Sequence, residues 1–303
     1  MKVECASNIG FCFGVRRAIN ILEKTASERG GVETLGALVH NQQVLNRLSG
    51  MGVRVVKNID DISGCTVAIS SHGVGPAVLA ELKSKGLEIV DTTCPFVKRA
   101  QVAAKRFHDA GFFTVIYGDV NHPEVKGILG WAGGNGLATL NPQGLDDIPD
   151  LSRYIGVLSQ TTQIPTGFTS FVKNVIDQAL VKDAEIRIAD TLCHDIRDRQ
   201  SAALELAGRV DLMLVIGGHN SANTRHLLDL CKTVSNTHLI ETASELQTDW
   251  LKGVSRIGIT SGASTDETTI SEVCSYLDSF QPELSFKLAL AYVTIHLLFR
   301  RNK

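Results

Sequence analysis

Short apolar runs alternate with longer segments of helical spacing along the chain. Apolar runs bounded by glycine and polar residues are typical of buried strands, whereas apolar residues three and four positions apart are typical of helices. The runs that predict strands lie at 33–35, 53–56, 66–69, 87–90, 112–117, 154–158, 212–216 and 255–259. The segments that predict helices lie at 15–29, 41–48, 95–110, 197–207 and from about 221 onwards. Strands that alternate with helices in this way favour parallel α/β units.

Three copies of one pattern follow each other along the chain. Each copy begins with a cysteine that is followed by basic residues, and these cysteines are Cys12, Cys94 and Cys193. In each copy an apolar run ends at a glycine 24 residues after the cysteine, in turn Gly36, Gly118 and Gly217. Four residues further on lies a polar side chain, in turn His40, His122 and Ser221. The sequence therefore predicts an internal threefold repeat.

The repeat predicts both the fold class and the domain organisation. We expect an α/β protein in which three similar α/β units have a pseudo-threefold, trefoil-like arrangement around a central metal cluster. In parallel sheets ligands bind beyond the carboxyl ends of the strands, which is where the polar clusters of the repeat lie. The apolar C-terminal tail, residues 285–303, is expected to pack against the body of the protein or against a second chain. The predicted divisions are 1–90, 91–186 and 187–284 for the three units and 285–303 for the tail.

The three cysteines of the repeat are candidate metal ligands. Cys94 lies where a predicted strand is followed by a helix with Pro95 in its first turn, and a helix N-terminus favours the thiolate form. A pseudo-threefold axis would bring the three cysteines together and leave one coordination position open, as a reacting substrate requires. Sulfur ligands suit zinc or an iron–sulfur cluster, and the residues alone leave both possible. The cysteines outside the repeat are expected to be structural, and they are Cys5, Cys65, Cys231 and Cys274.

Polar side chains at the start of predicted helices form a candidate anion site. His40, His122 and Ser221 each stand near a first helical turn. Helix N-termini surrounded by histidine, asparagine, serine and threonine donors suit a phosphate or a diphosphate. Each of these side chains alone can equally be an ordinary helix cap. Glu124 is the only carboxylate in these clusters and is therefore the candidate proton donor. The alternative is an acidic residue that stabilises a first helical turn.

Composition and charge exclude several classes of protein. The chain has 303 residues, of which 44% are hydrophobic, enough for a large buried core. Its net charge is −2 and it has no basic stripe, so binding to nucleic acid is not expected. No apolar run is long enough to span a membrane, and the first residues carry no export or organelle signal. Seven cysteines without a secretory leader indicate reduced thiols, so we expect a cytoplasmic protein.

Several motifs together resemble one known family. They are Gly10-Phe11-Cys12-Phe13-Gly14-Val15, Val39-His40-Asn41, Ser71-His72-Gly73-Val74, Asp91-Thr92-Thr93-Cys94-Pro95, His122-Pro123-Glu124-Val125, Ser159-Gln160-Thr161-Thr162 and Asn220-Ser221. They resemble the motifs of the 4-hydroxy-3-methylbut-2-enyl diphosphate reductase family over roughly residues 3–280. The resemblance implies the last step of the methylerythritol phosphate route to isoprenoids. In that step an allylic diphosphate loses its hydroxyl group and becomes isopentenyl diphosphate and dimethylallyl diphosphate.

The same resemblance implies roles for individual residues. Cys12, Cys94 and Cys193 would hold one 4Fe–4S cluster whose fourth iron stays open to the substrate. Glu124 and Thr161 would handle the substrate hydroxyl and its proton. The electrons would come from an external donor of the ferredoxin or flavodoxin type. The substrate-binding residues would be His40, His72, His122, Thr162, Ser221, Asn223 and Ser264.

Two features depart from the pattern of that family. Ala222 stands where the family usually has a second serine after Ser221, which removes one expected hydrogen bond to the diphosphate. The family tends to end near a Phe-x-Leu-Pro sequence, whereas this chain continues after Phe286 as an apolar tail. The first departure concerns the expected substrate site directly, and the second concerns only the tail.

Two other classes of function fit the cysteines if the resemblance is set aside. A zinc hydrolase with three cysteine ligands would use metal-bound water on a phosphorylated small molecule. A metal-stabilised binding module without catalysis would not need Glu124. Colour separates both from a reductase, because an iron–sulfur protein purified without oxygen is brown and a zinc protein is colourless.

Overall fold

The computed structural model describes residues 1–39, 41–141, 153–180 and 183–280. In this part of the chain twelve strands form three four-stranded sheets, and every paired strand runs parallel to its neighbour. Helices connect and cover the strands, so the predicted α/β class with three similar units is confirmed. His40 and the predicted tail lie outside the described residues. No helix within the described ranges is both long and apolar enough to cross a membrane.

Strand β1 (Lys2–Cys5) comes first, and the first unit follows it. The elements of this unit are α1 (Phe13–Arg29), β2 (Val32–Leu35), α2 (Gln42–Gly50), β3 (Val53–Val56), β4 (Thr66–Ile69), α3 (Pro76–Ser84) and β5 (Glu88–Asp91). Ile19 and Leu22 lie on one face of α1 at the predicted spacing and belong to one buried cluster with Leu48. Helix α1 ends at Gly30, whose φ of 71° is the left-handed cap that glycine adopts without strain. The sheet order is β3-β2-β4-β5.

The second unit has helices on both faces of its sheet. Its elements are α4 (Pro95–Asp109), β6 (Phe113–Tyr117), α5 (Pro123–Trp131), β7 (Gly136–Thr139), β8 (Tyr154–Ser159), α6 (Pro165–Leu180) and β9 (Glu185–Ile188), in the sheet order β7-β6-β8-β9. Val115 and Val157 are buried in the cluster that includes the residues of α6. Their neighbours Ile116 and Leu158 belong to the cluster on the side of α4 and α5. The alternation follows from the two-residue period of a strand.

The third unit repeats this arrangement. Its elements are α7 (His194–Ala207), β10 (Leu212–Ile216), α8 (Ala222–Lys232), β11 (Asn236–Ile240), β12 (Arg256–Ser261) and a helix α9 over 267–280. The sheet order is β1-β12-β10-β11, and all five residues of β10 are buried. A continuous apolar run of this kind is typical of a parallel strand that is covered on both faces. Two short 3₁₀ helices, Ala243–Glu245 and Thr248–Leu251, connect β11 to β12.

The three sheets share one strand order, and the N-terminal strand completes the third sheet. The fourth place is taken by β5 in the first sheet, by β9 in the second and by β1 in the third. Strand β1 pairs with β12, with Lys2 opposite Arg256. Residues 2–5 therefore lie in the sheet of the third unit, whereas the predicted division 1–90 grouped them with the first. One cysteine of the repeat follows each fourth strand, in turn Cys94 after β5, Cys193 after β9 and Cys12 after β1.

Candidate functional site

The three cysteines of the repeat occupy equivalent positions. Each is the residue that precedes a helix, with Cys12 before α1, Cys94 before α4 and Cys193 before α7. Each also donates its backbone N–H to a carbonyl that follows the third strand of a unit. These bonds run from Cys12 to Ala263 O (2.9 Å), from Cys94 to Ser71 O (3.0 Å) and from Cys193 to Thr161 O (2.9 Å). The predicted threefold repeat therefore extends to the hydrogen bonds that hold the cysteines.

An arginine on each of the same helices connects one unit to the next. These bonds run from Arg17 to Thr93 O (3.3 Å), from Arg99 to Leu192 O (2.8 Å) and from Arg199 to Gly10 O (2.9 Å). Each accepting carbonyl lies one or two residues before the next cysteine, so the three bonds form a closed ring. Arg199 is only 2% exposed and also donates to the carbonyls of Asn8 and Ser261, at 3.1 Å each. We call these three side chains the arginine ring.

The three cysteines line one cavity to which all three units contribute. A Cβ atom at Gly14 would lie 2.5 Å from Sγ of Cys94 and 3.9 Å from Sγ of Cys12, so this glycine leaves space that both sulfurs border. Among the described residues, only His219, Glu241 and Glu245 form a group of three ligand atoms within 4.8 Å of one another. At least two of the three cysteine sulfurs therefore lie more than 4.8 Å apart, further than around a single zinc, where Zn–S bonds of about 2.3 Å place them about 3.8 Å apart. This spacing fits a cluster of several metal atoms better than one ion.

Burial raises the pKa of all three thiols. Loss of solvent is the largest cause for Cys12, Cys94 and Cys193, and it raises the pKa of Cys193 to about 12. Backbone N–H groups in the first helical turn lower the pKa, as those of Phe96 and Val97 do for Cys94. The helix N-terminus that favoured a thiolate in the sequence is therefore outweighed by burial. A bound metal group is what would deprotonate the three thiols.

Glu124 is buried and is held by a single residue, Thr161. The backbone N–H of Thr161 donates to Oε1 (2.7 Å), and its hydroxyl donates to Oε2 (3.0 Å). Burial raises the pKa of Glu124 to about 7, although both hydrogen bonds from Thr161 act to lower it. A carboxyl group with such a pKa can both hold and release a proton near neutral pH. The alternative of an acidic residue that only stabilises a first helical turn would leave the cost of this burial unexplained.

Two of the predicted histidines meet on one side of the cavity. The ring centroids of His72 and His122 are 5.3 Å apart, in an edge-to-face arrangement. Nδ1 of His122 accepts the backbone N–H of Glu124 (3.2 Å), so this side chain caps α5 as well as lining the cavity. Because Nδ1 accepts, the proton of a neutral ring stands on Nε2, which makes Nε2 a hydrogen-bond donor.

The third unit contributes serine and asparagine side chains. Ser221 precedes α8, and its Oγ accepts the N–H of Thr224 (3.4 Å). Asn223 is 5% exposed, and within the described part of the chain neither its Oδ1 nor its Nδ2 has a hydrogen-bond partner. Because a buried amide without partners is costly, Asn223 indicates a place for a polar ligand. The carbonyl of Ser264 accepts from Nδ2 of Asn41 (2.9 Å), which connects the start of α2 to this unit.

The structure brings the predicted site residues to one cavity, with a single exception. His40 lies outside the described residues, and the roles of the others stay predictions. The cavity also has an apolar side, to which Phe96, Val97 and Ile196 belong. Amide, hydroxyl and imidazole groups at the starts of α5 and α8 suit an anion, and the apolar side suits a short hydrocarbon. The predicted residues that line the cavity are Cys12, His72, Cys94, His122, Glu124, Thr161, Thr162, Cys193, Ser221, Asn223 and Ser264.

Sequence reasoning missed three features of the site. These are the space left by Gly14, the bond from Asn41 to Ser264 and the arginine ring. A signal for the arginine ring was present, because basic residues follow each cysteine of the repeat. No local pattern identifies the other two, since both depend on contacts between different units.

Comparison with known proteins gives a consistent result. A family model described as LytB protein matches residues 3–278. The 4-hydroxy-3-methylbut-2-enyl diphosphate reductase of Dehalococcoides mccartyi (strain CBDB1) is 99% identical over 278 residues, which is 92% of this chain and 98% of the relative. The protein of the same name from Geobacter sulfurreducens (strain ATCC 51573 / DSM 12127 / PCA) is 42% identical over 281 residues, again 92% and 98%. A solved structure of (E)-4-hydroxy-3-methyl-but-2-enyl diphosphate reductase, the terminal enzyme of the non-mevalonate pathway, is 38% identical with a TM-score of 0.70, covering 92% of this chain and 100% of that one.

Proposed function

The chain belongs to the LytB protein family, and we therefore propose that it reductively removes the hydroxyl group of 4-hydroxy-3-methylbut-2-enyl diphosphate. The products are isopentenyl diphosphate and dimethylallyl diphosphate. The reaction breaks the allylic carbon–oxygen bond, takes up two electrons and two protons, and releases one water molecule. The observation that carries the proposal is the cavity that the three cysteines, each directly before a helix, share with the buried Glu124–Thr161 pair.

Cys12, Cys94 and Cys193 would hold one 4Fe–4S cluster with its fourth iron open. The separation of more than 4.8 Å between at least two of the sulfurs and the space beside Gly14 support a group of this size. When bound, such a cluster supplies electrons one at a time and a Lewis-acidic iron. The electrons would come from an external carrier of the ferredoxin or flavodoxin type, in the cytoplasm.

The diphosphate would bind among donors from all three units. Nε2 of His122 can donate, and the starts of α5 and α8 present backbone N–H groups. Nδ2 of Asn223, which has no partner among the described residues, can donate to the diphosphate, and this bond would remove the cost of burying that NH2 group. The remaining residues of the proposed substrate set are His40, His72, Thr162, Ser221 and Ser264.

Glu124 and Thr161 would control the proton that leaves with the hydroxyl group. A protonated Glu124 can give its proton to the Thr161 hydroxyl oxygen, 3.0 Å away, while that hydroxyl donates its own proton towards the substrate. Burial keeps bulk water away from the pair, so the proton is held where the leaving oxygen needs it. The second proton, which joins the carbon skeleton, would come from solvent or from the bound diphosphate.

Metal analysis and a turnover assay on anaerobically purified protein test this proposal. We expect brown protein with about four iron and about four sulfide per chain, and formation of both products when a reductant is supplied. Stoichiometric zinc in a colourless protein that releases phosphate would instead support the zinc hydrolase. Iron–sulfur protein that does not consume the substrate under reducing conditions would contradict the proposed reaction.

We expect Ala222→Ser to leave the iron content unchanged and to tighten substrate binding or leave it as it is. Ala222 opens α8 between Ser221 and Asn223 and lines the cavity, so a hydroxyl there can reach the diphosphate. One hydrogen bond to a charged acceptor stabilises by about 1.5–3 kcal/mol at best. Substrate titration of both proteins measures the change, with the exposed Ala110→Ser as control. A large loss of affinity would mean that this residue does not face the diphosphate.

We expect Gly14→Ala to lose most of the bound iron. The new Cβ would lie 2.5 Å from Sγ of Cys94, so the sulfur would have to leave its position. Gly50→Ala is the matched control, because a Cβ there meets nothing within 4 Å. Iron per chain and the visible absorbance of the two variants measure the effect. A Gly14→Ala protein with full iron would show that Cys94 does not need its present position to bind the cluster.

A further inference from the structure

A second cavity, a groove on the surface, adjoins Cys94 on a different side from the central cavity. Cys94 lines the central cavity, whereas its two neighbours in the chain, Thr93 and Pro95, line the groove. The groove therefore reaches the backbone on both sides of Cys94. Because electron transfer slows steeply with distance, the groove offers a short path from the surface to a metal group held by the cysteines.

The side chains of the groove carry more positive than negative charge. Its cations are Arg17, Lys98, Arg99 and Arg106, and its carboxylates are Asp91 and Asp190. Both carboxylates are already engaged within the chain. Oδ1 of Asp91 accepts the N–H of Thr93 (2.9 Å), and Oδ2 of Asp190 accepts from Arg197 (2.5 Å). The excess positive charge attracts a negatively charged partner and orients its approach.

Two of the four cations have fixed positions. Arg17 and Arg99 belong to the arginine ring, so their guanidinium groups are ordered before any partner arrives. Lys98 and Arg106 are exposed and stand eight residues apart on α4, close to two full turns. Ordered cations lose little side-chain entropy on binding, which favours a specific contact over a diffuse attraction.

Exposed apolar side chains accompany these charges. Val102 lies between Lys98 and Arg106 on α4, lines the groove and is 41% exposed. Phe13 is not one of the residues that line the groove, but it stands one turn before Arg17 on α1 and is 61% exposed. Aromatic and aliphatic side chains surrounded by charged ones are typical of the centre of a protein interface. A small inorganic anion would satisfy the cations but would leave both apolar side chains in water.

We propose that this basic groove docks an acidic one-electron carrier protein, which passes electrons to the metal group of the active site by way of Cys94. The inference rests on the proposed function, because it requires a redox group on the three cysteines. Each encounter oxidises one carrier by one electron, so two encounters supply the two electrons that the reaction consumes. The partner is defined by its chemistry, which is a carboxylate-rich surface around an exposed flavin or iron–sulfur centre.

The test measures how two variants, each with two reversed charges, bind a flavodoxin that has an acidic surface around its flavin. Lys98→Glu with Arg106→Glu reverses the groove but keeps Arg17 and Arg99, which the fold uses. The control is Lys57→Glu with Lys173→Glu, the same change of net charge at exposed sites elsewhere. We expect the groove variant to bind oxidised flavodoxin about tenfold or more weakly than the parent in a calorimetric titration at low salt. We expect the control to bind like the parent.

A second readout follows the electrons themselves. Reduced flavodoxin is mixed with the oxidised protein in the absence of substrate, and the bleaching of the iron–sulfur absorbance is timed. The groove variant is expected to bleach at least about tenfold more slowly at low salt, and the difference should shrink as salt screens the charges. Iron content and reduction by dithionite verify that each protein carries an intact redox group.

The outcomes separate the two proposals. Equal flavodoxin affinity and equal bleaching in the groove variant and the control would overturn the docking site. If the protein does not consume the substrate with dithionite as reductant, the proposed function is overturned. The affinity measurement still tests the docking site in that case. Inorganic phosphate that abolishes the affinity difference without any effect of Phe13→Ala would assign the groove to small anions and overturn the carrier.

Discussion

Replacing Cys94 with serine is expected to give a folded protein that keeps little of its iron and has no measurable turnover. Serine retains the backbone N–H bond to Ser71 O (3.0 Å) and the position before α4, so the structural cost is small. What disappears is the thiolate, and a serine oxygen is a poor ligand for an iron–sulfur cluster. Iron and sulfide analysis, visible absorbance and circular dichroism of the anaerobic protein measure these effects. Cys12→Ser and Cys193→Ser should behave in the same way.

Cys65→Ser is the control for that prediction. Cys65 is exposed and lies outside the repeat, so its replacement should leave iron content and turnover at the values of the parent. Full iron in the Cys94→Ser protein would mean that the metal is held elsewhere. In that case the equivalent positions of the three cysteines would be a property of the fold alone.

Glu124→Gln is expected to lower turnover by roughly 10²–10⁴-fold, the usual range for a lost general acid. The amide oxygen of glutamine can still accept the backbone N–H of Thr161 (2.7 Å), and its NH2 group, in the place of Oε2, can donate to the Thr161 hydroxyl oxygen (3.0 Å). Glutamine cannot deliver a proton. Iron content and substrate affinity should therefore stay close to those of the parent, so the loss should fall on kcat. Steady-state kinetics under saturating reductant measure it.

The pH dependence of turnover gives the same prediction a second readout. Burial raises the pKa of Glu124 to about 7, so the protonated form predominates below that pH and is lost as the pH rises through it. Turnover of the parent should therefore fall from neutral pH upwards. A bound diphosphate adds negative charge nearby and would move this fall to higher pH. The residual activity of Glu124→Gln should lack this step.

His122→Asn provides the contrast, because it should weaken substrate binding more than it slows chemistry. Its Nδ1 caps α5 and its Nε2 is a candidate donor to the diphosphate. If Glu124→Gln instead turns over within a few-fold of the parent, the carboxyl group is not the proton donor. The proton would then have to pass through Thr161 and water.

Strands that are buried on both faces could be predicted from the sequence, and several of the more exposed edge strands could not. The run Leu212–Ile216 is apolar throughout because helices cover both sides of β10. Strands β1, β7 and β9 were not predicted, and none of their residues is fully buried. An edge strand pairs on one side only, so its residues need not be apolar. The glycine-rich stretch 130–136 shows no strand pattern, and in the structure it runs from the end of α5 to the first residue of β7.

The candidate site shows the same division between local and distant information. The regular spacing identified Cys12, Cys94, Cys193, His122 and Ser221, because equivalent units place equivalent residues together. The family resemblance, not the spacing, gave the other cavity residues His72, Thr161, Thr162, Asn223 and Ser264. The bonds of the arginine ring join residues 76, 93 and 189 positions apart in the sequence, which no local pattern reveals. The unpartnered amide of Asn223 depends in the same way on burial by its neighbours.

The pairing of β1 with β12 sets the order in which the cell can complete this protein. The first two units have their own buried clusters and can fold while the ribosome is still making the third. Strand β1, although made first, has no sheet to join until the residues up to Ser261 have been synthesised. Cys12 must also wait for the carbonyl of Ala263, which accepts its N–H. A nascent chain therefore offers two of the three cysteines in their final setting, and a metal group that needs all three would bind only to the nearly finished polypeptide.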